Sequence, residues 1–329
     1  MKTPNLIRTQ LGLGLILLGC PAGAIAASTN YQSVVLADAP VLYYQFNESQ
    51  GAATNRGSLG AAFNATYFGT PTRAVPTATG DTGVQFDGQD DYLESASVAP
   101  GSLSGNPSFT AEAVFFVPTT GSAALWAPFL HWGVSQGTPP TMKSVYFSFS
   151  NYDANRLFAG FYNGGLRTQP VALGQWHHLV WVRQGGGAAN VGTTLYLDGV
   201  SVSLENDPGL PTNGGVPAVV ATAFRVNRAQ DFTRYFTGTL DELALYDRAL
   251  TSGEVLTHYA AYAGDARLSI KTTGAAQAQI SWAPAVPGVV LQESLSLSPA
   301  NWINSISGAT NPITVSTTNA TKFYRLFKP

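Results

Sequence analysis

From Ser33 to Ala263 the chain alternates apolar and polar positions in short runs bounded by Gly, Pro, Asn or Asp. A period of two predicts strands with one buried face. Leu42, Tyr44 and Phe46 share one face of a first strand, and Phe109, Ala111, Ala113, Phe115 and Val117 share one face of a later strand, with Thr110 and Glu112 opposite. Val145, Phe147 and Phe149 continue the pattern. Leu195 and Leu197 run into Asp198-Gly199, a pair suited to the positive φ angles of a two-residue turn, so Thr194 to Ser203 should form a hairpin. One stretch breaks the period. Thr251-Ser252-Gly253-Glu254 has the spacing of a capping box and is followed by Val255, Leu256 and Tyr259, which predicts a short helix covering one end of a sandwich. Beyond Gly264 the pattern resets, with fresh strand signals at Leu268-Ser269-Ile270, Ala278 to Trp282, Val289 to Gln292 and Phe323 to Leu326. The boundary is placed at Gly264-Asp265, giving a large domain over 33–263 and a small β module over 265–329.

Composition supports an all-β reading. The 34 glycines, 20 prolines and 11% aromatic residues suit many strands joined by tight turns. Charged residues are only 11% of the chain, 17 Lys+Arg against 19 Asp+Glu, which argues against nucleic acid as a partner. Residues 1–26 read as a signal peptide: Lys2 and Arg8 form the positive region, Leu11 to Leu18 the apolar region, and Ala24-Ile25-Ala26 the cleavage site. The apolar region is too short for a bilayer core of about 30 Å, and no transmembrane helix is expected elsewhere. A secreted, extracellular protein is therefore expected. Cys20, the only cysteine, follows Leu17-Leu18-Gly19 in an approach to the bacterial lipoprotein pattern, so a lipid anchor at the cell envelope is the alternative.

The ordered blocks Val41 to Glu48, Gly83 to Leu93, Ser108 to Ala113, Gly174 to Val180 with Leu195 to Gly199, and Phe236 to Leu243 through Thr251 resemble the laminin-G-like domains of the concanavalin A-like lectin/glucanase superfamily. The resemblance implies a jelly-roll β-sandwich over roughly Pro40 to Tyr262. Val114 and Phe115 stand where the third block usually carries a tryptophan. The last residues, ending in Phe323-Tyr324-Arg325-Leu326, resemble a small C-terminal β module of secreted bacterial proteins. The resemblance also implies a structural calcium ion, Ca2+, held by Asn47, the Gly88 carbonyl and Asp241, oxygen donors suited to a hard cation. Asp87, Asp90 and Asp91 are a second source of such ligands.

Catalysis is not expected. The glucanases of this resemblance use closely spaced carboxylates on one strand face, whereas Asp241 and Glu242 are adjacent and should point to opposite faces, and Glu205, Asp207 and Asp231 sit in loop-like sequence. His177 and His178 should likewise face opposite ways and serve packing rather than one site. Sugar sites use exposed aromatic rings with a few polar groups, and Trp126, Trp132, Tyr152 and Tyr162 lie in or beside loop-rich stretches. The expectation is a non-catalytic binding or adhesion protein recognising extracellular glycan or a surface protein. A structural module of an extracellular assembly and a glycoside hydrolase are the alternatives.

Overall fold

The computed structural model describes residues 7–8, 27–77, 81–119, 126–135, 141–150, 155–210, 213–229, 234–264, 267–274, 276–283, 289–297, 299–316 and 322–327. Tyr152, Asp231, Cys20 and the Ala24-Ile25-Ala26 cleavage site lie outside these residues. The chain divides into two compact units, Ser28–Tyr262 and Met1–Ala27 together with Ala263–Pro329.

The larger unit is a sandwich of two antiparallel sheets. The first sheet runs in the order Glu205–Asn206, Gly164–Pro170, Arg156–Phe161, Ser144–Phe149, Pro128–Gly133, Ala223–Val226, Tyr92–Val98, Ala65–Phe68. The second runs Val200–Ser201, Thr193–Leu197, Trp176–Arg183, Phe109–Phe116, Thr237–Tyr246, Thr82–Asp87, Thr72–Pro76, with Leu42–Tyr44 also paired to Thr237–Tyr246. Strands far apart in sequence are neighbours here, as a jelly roll requires. The faces that the alternation picked out meet between the sheets: Leu42, Tyr44, Phe46, Phe109, Phe115, Phe147, Phe149 and Leu195 all belong to one buried cluster. Its rings interlock, Phe115 on Phe129 at 4.8 Å and Phe109 on Trp181 at 4.7 Å. Burying each such ring contributes about 2 to 3 kcal/mol. The expected hairpin forms, with Leu197 opposite Val200 and both Asp198 and Gly199 at positive φ.

Two helices lie on the outer face of the second sheet, and both depart from the sequence reading. Helix α1, Ala27–Ala37, was not expected, because only Tyr31 and Val35 mark its buried side and they are too few to set a helical period. Helix α2, Ser252–Ala263, begins with the predicted capping box: the Thr251 N–H donates to Glu254 at 2.6 Å and the Glu254 N–H to the Thr251 hydroxyl at 3.2 Å. It covers a sheet face instead of the end of the sandwich. Val255 and Ala261 pack with Val114, Val180, Val182 and Tyr246, the side chains that alternate away from the core. Under the helices Glu112 accepts from Tyr31 at 2.7 Å, His178 at 2.7 Å and His258 at 2.8 Å, and His258 bonds Asp38 at 2.8 Å.

In the smaller unit one sheet runs Ile7–Arg8, Phe323–Phe327, Val290–Ser294, Ile303–Asn304, and another Arg267–Gly274, Gln277–Ala283, Ile313–Ser316. Ile280, Trp282, Leu291 and Tyr324 form its core. Among the described residues no helix is long and apolar enough to cross a membrane.

Candidate functional site

Side chains alternate along a strand, so residues between the core positions of the first sheet point away from the sandwich. On the three strands from Pro128 to Phe161 these include His131, Tyr146 and Phe158. Tyr146 and Phe158 form a small apolar cluster with Leu210 and Ala229, against which Trp126 and Tyr162 pack half-buried. A shallow surface cleft lies there, lined by Trp126, Tyr146, Phe158, Tyr162, Asn163 and Leu210. Its geometry follows from local sequence. Gly160 and Gly165 pair across two strands, and a Cβ on either would come within 2.5 Å of Phe158 Cζ, so the two glycines let that ring lie flat over the backbone. Tyr162 and Asn163 form the hairpin turn that follows, with Asn163 at a φ of 70°. Trp126 holds a φ of 57°, left-handed backbone that a bulky residue rarely adopts and that costs of order 1 to 3 kcal/mol.

Around the cleft the sheet face is polar and largely cationic. The Tyr146 hydroxyl bonds Ser135 at 2.8 Å, and Ser135 bonds Ser144 at 3.0 Å. His131 is fully buried, its ring edge-on to Tyr146 at 4.7 Å; burial and then the nearby Arg225 charge push it down to about 3, so it is a neutral imidazole. Arg225 donates to Glu94 at 2.6 Å. Arg234 stacks 4.8 Å from the Trp126 ring centre and Arg228 4.5 Å from that of Tyr92. At the far edge Glu205 pairs with both Arg156 and Arg167.

A second cluster lies on the other sheet. Between Leu240 and Leu243 the register against Phe109–Phe116 slips by one residue, a β-bulge, as Thr237–Tyr246 changes neighbour from Thr82–Asp87 to Leu42–Tyr44. An extra residue in one strand re-aims its side chains. Asp241 and Glu242 therefore do not point to opposite faces, as simple alternation predicted: ligand oxygens of Asp81, Asp241 and Glu242 lie within 4.8 Å of one another. Burial, and then the Asp241 charge, raise the Glu242 carboxyl well above its ordinary range; Tyr43 and Gln45 are the polar side chains beside it, and neither buried oxygen makes a well-formed hydrogen bond. Three carboxylates converging on one point offer oxygen donors that fit a hard cation.

The calcium ligands read from the sequence are rearranged. Asn47 stands one layer out, its amide donating to Asp81 at 3.3 Å and its carbonyl accepting from the Thr82 hydroxyl at 3.2 Å. Gly88 is not part of the cluster. It packs on Thr237, four residues from Asp241, or about 13 Å along a strand, because Thr82–Asp87 runs away from the bulge. Gly88 instead adjoins Asp87, Asp90 and Asp91, where Asp91 is occupied by the Thr70 and Asp87 N–H groups.

Of the four aromatic residues, Trp126 and Tyr162 share the cleft. Trp132 does not belong with them: it is fully buried between the sheets beside Phe109, with its indole N–H on the Leu103 carbonyl at 3.0 Å. Tyr152 lies outside the described residues. Tyr146 and Phe158 were missed because alternation only puts them on the outer faces of their strands, opposite Val145 and Phe147 or Leu157 and Ala159, and does not say that those outer positions meet. His177 and His178 do face opposite ways, His177 beside Phe115 and bonded to Asp198 at 2.8 Å, His178 beneath the helices on Glu112.

A family model described as the concanavalin A-like lectin/glucanases superfamily matches residues 87–256, more than half of the chain. No curated protein matches it. Among solved structures, the chain is similar to the binding domain of Paraclostridial Mosquitocidal Protein 1, with 11% identity and a TM-score of 0.50 over 82% of this chain and 64% of that one. It is also similar to domain 4 of AbnA, a GH43 extracellular arabinanase from Geobacillus stearothermophilus in complex with arabinotriose, with 18% identity and a TM-score of 0.45 over 67% of this chain and 98% of that one. A third is Trypanosoma rangeli sialidase in complex with sialic acid, with 16% identity and a TM-score of 0.45 over 75% of this chain. The chain spans about a third (35%) of the length of that sialidase. The expectation of a chain without enzymatic activity does not stand, since the matched superfamily is described as taking in glucanases as well as lectins. Its sequence premise fails as well, since the bulge brings Asp241 and Glu242 together with Asp81.

Proposed function

The chain belongs to the concanavalin A-like lectin/glucanases superfamily, and from that premise we propose that it is a secreted carbohydrate-binding protein whose sugar site is the cleft between Trp126 and Tyr162. The observation that carries the reading is the pairing of two half-buried rings over an apolar floor of Phe158 and Tyr146, with hydroxyl and guanidinium groups at the margin. A pyranose has apolar C–H faces and a polar edge, and rings flanked by a few polar groups match both. The strained backbone of Trp126 fits a residue held in place for contact. Secretion rests on the Lys2 to Ala26 leader, with lipidation at Cys20 as the other outcome of its processing. A calcium ion held by Asp81, Asp241 and Glu242 would stabilise the second sheet, remote from the sugar cleft and with no part in ligand contact.

A glycan array tests this. The full chain should retain a defined set of oligosaccharides, and Trp126→Ala should lower retention at least tenfold while leaving the thermal melt within about 2 °C. Retention of no glycan, or full retention by Trp126→Ala, would overturn the assignment.

A further inference from the structure

On the outer face of the first sheet, beside the aromatic cleft, Arg225 and His131 are register partners on adjacent strands, and Arg225 is paired on its other side with Glu94. Glu94 takes the Arg225 Nε donor, but Arg225 Nη1 is buried with no hydrogen-bond partner. His131 Nδ1 is also buried without one, while its Nε2 faces the Ser135 hydroxyl at 3.4 Å. Two residues along the same strand face from Glu94, Tyr92 carries Arg228 stacked on its ring, and Arg228 Nε is a second guanidinium donor without a partner. Tyr92 and Glu94 are about 7 Å apart on one face, so the two residues that hold these guanidinium groups are neighbours.

This arrangement is unusual for a structural one. Buried donors are nearly always satisfied, and an arginine kept only for stability normally meets a carboxylate. Among the described residues the acids of this face are already engaged: Glu94 by Arg225, Glu205 by Arg156 and Arg167, and Asp207 by the Ser150 hydroxyl at 2.7 Å. Arg228 has a ring where a counter-ion would be. A stacked guanidinium keeps its edge N–H groups free in one plane, the geometry that receives a carboxylate or sulfate.

We infer that Arg228, with Arg225 Nη1 beside it, forms an anion subsite, and that the ligand is an acidic glycan carrying a carboxylate or a sulfate ester. The inference rests on the sugar-binding reading of the neighbouring cleft. It adds a charge requirement to it: the sugar ring meets Trp126 and Tyr162, and the anionic substituent of that residue or the next meets Arg228.

The experiment is titration calorimetry on the full chain with three ligands of matched length, a neutral oligosaccharide, an oligogalacturonate and a sulfated oligosaccharide, at low and high salt. At least one acidic ligand should bind tenfold or more tighter than the neutral one and weaken with salt, and the arm that does so separates carboxylate from sulfate. Arg228→Gln should erase the preference and leave neutral binding intact. Should that variant fail to fold, Glu94→Gln serves, since releasing Arg225 from its carboxylate should strengthen acidic binding several-fold. Equal binding of neutral and acidic ligands, or an acidic preference untouched by Arg228→Gln, overturns the subsite and leaves the cleft standing. Binding of none of the three overturns the subsite together with the reading beneath it.

Discussion

Phe158 lies flat on the outer sheet face because two glycines beneath it have no side chains. In Gly165→Ala the new methyl carbon would meet Phe158 Cζ at 2.5 Å and the Gly160 Cα at 2.6 Å, so the ring must lift or the strands part. Overpacking of this kind costs about 1 to 3 kcal/mol, and the lifted ring would fill the cleft. Gly165→Ala should therefore lower both the melting temperature and the affinity for glycan, whereas Gly51→Ala, with open space around the position but a φ of 76°, should lower the melt alone. Calorimetric melts and glycan titrations of the two variants check this. At this scale the sequence was half legible. Trp126 and Tyr162 could be singled out as aromatic residues beside loops, but nothing local separates them from Trp132, whose burial is decided by Phe109 and Leu103, distant in the chain.

Elements are stitched together by buried charge, and each stitch has a signature. Burial alone would lower His258, but Glu112 and Asp38 raise it to about 9; burial alone would raise Glu112, but His258 and His178 hold it well below the carboxylate range. A group raised in the folded state adds stability that is complete below its unfolded value, about 6.5, and lost as pH climbs through the folded one. Glu112 has the opposite sign: its contribution is present above about 4.5 and lost toward acid. The two helices should be held best between about pH 5 and 6.5, with roughly 3 kcal/mol lost by pH 9.5. A melting series over that alkaline range should show the loss, and His258→Gln should be less stable at pH 6 and flatter above it. A second stitch is the bulge at Asp241 and Glu242. If a cation binds only the native state at a hundredfold excess over its Kd, it adds about 2.7 kcal/mol, or roughly 5 to 10 °C for a unit of this size. EDTA should lower the melt by that order, and Glu242→Gln should abolish the response; a melt indifferent to EDTA in metal-stripped buffer would leave Glu242 a buried, protonated acid. The capping box and the Asp198-Gly199 hairpin were readable because each is local. The bulge was not, because it arises where one strand exchanges partners from Thr82–Asp87 to Leu42–Tyr44, and pairing between distant segments leaves no mark in either.

For the whole molecule, the alternation of Phe109 to Val117 and Val145 to Phe149 was enough to indicate a sandwich, since a period of two must be buried by a second layer. Which outer face was open could not be read the same way: Val114, Val180 and Val182 look like a second core, and they are, beneath α1 and α2, while the first sheet keeps its outer face for arginines and rings. That asymmetry suits the proposed sugar site. One sheet is covered by helices and anchored by Glu112, and the other carries the cleft. A crystal structure of the chain with an oligosaccharide it retains on the array tests the sugar site without an intermediary. The sugar ring should pack against Trp126 and Tyr162 above Phe158, with an acidic substituent directed toward Arg228. A sugar bound on the helix-covered sheet, or at the carboxylates of Asp81, Asp241 and Glu242, would contradict this placement.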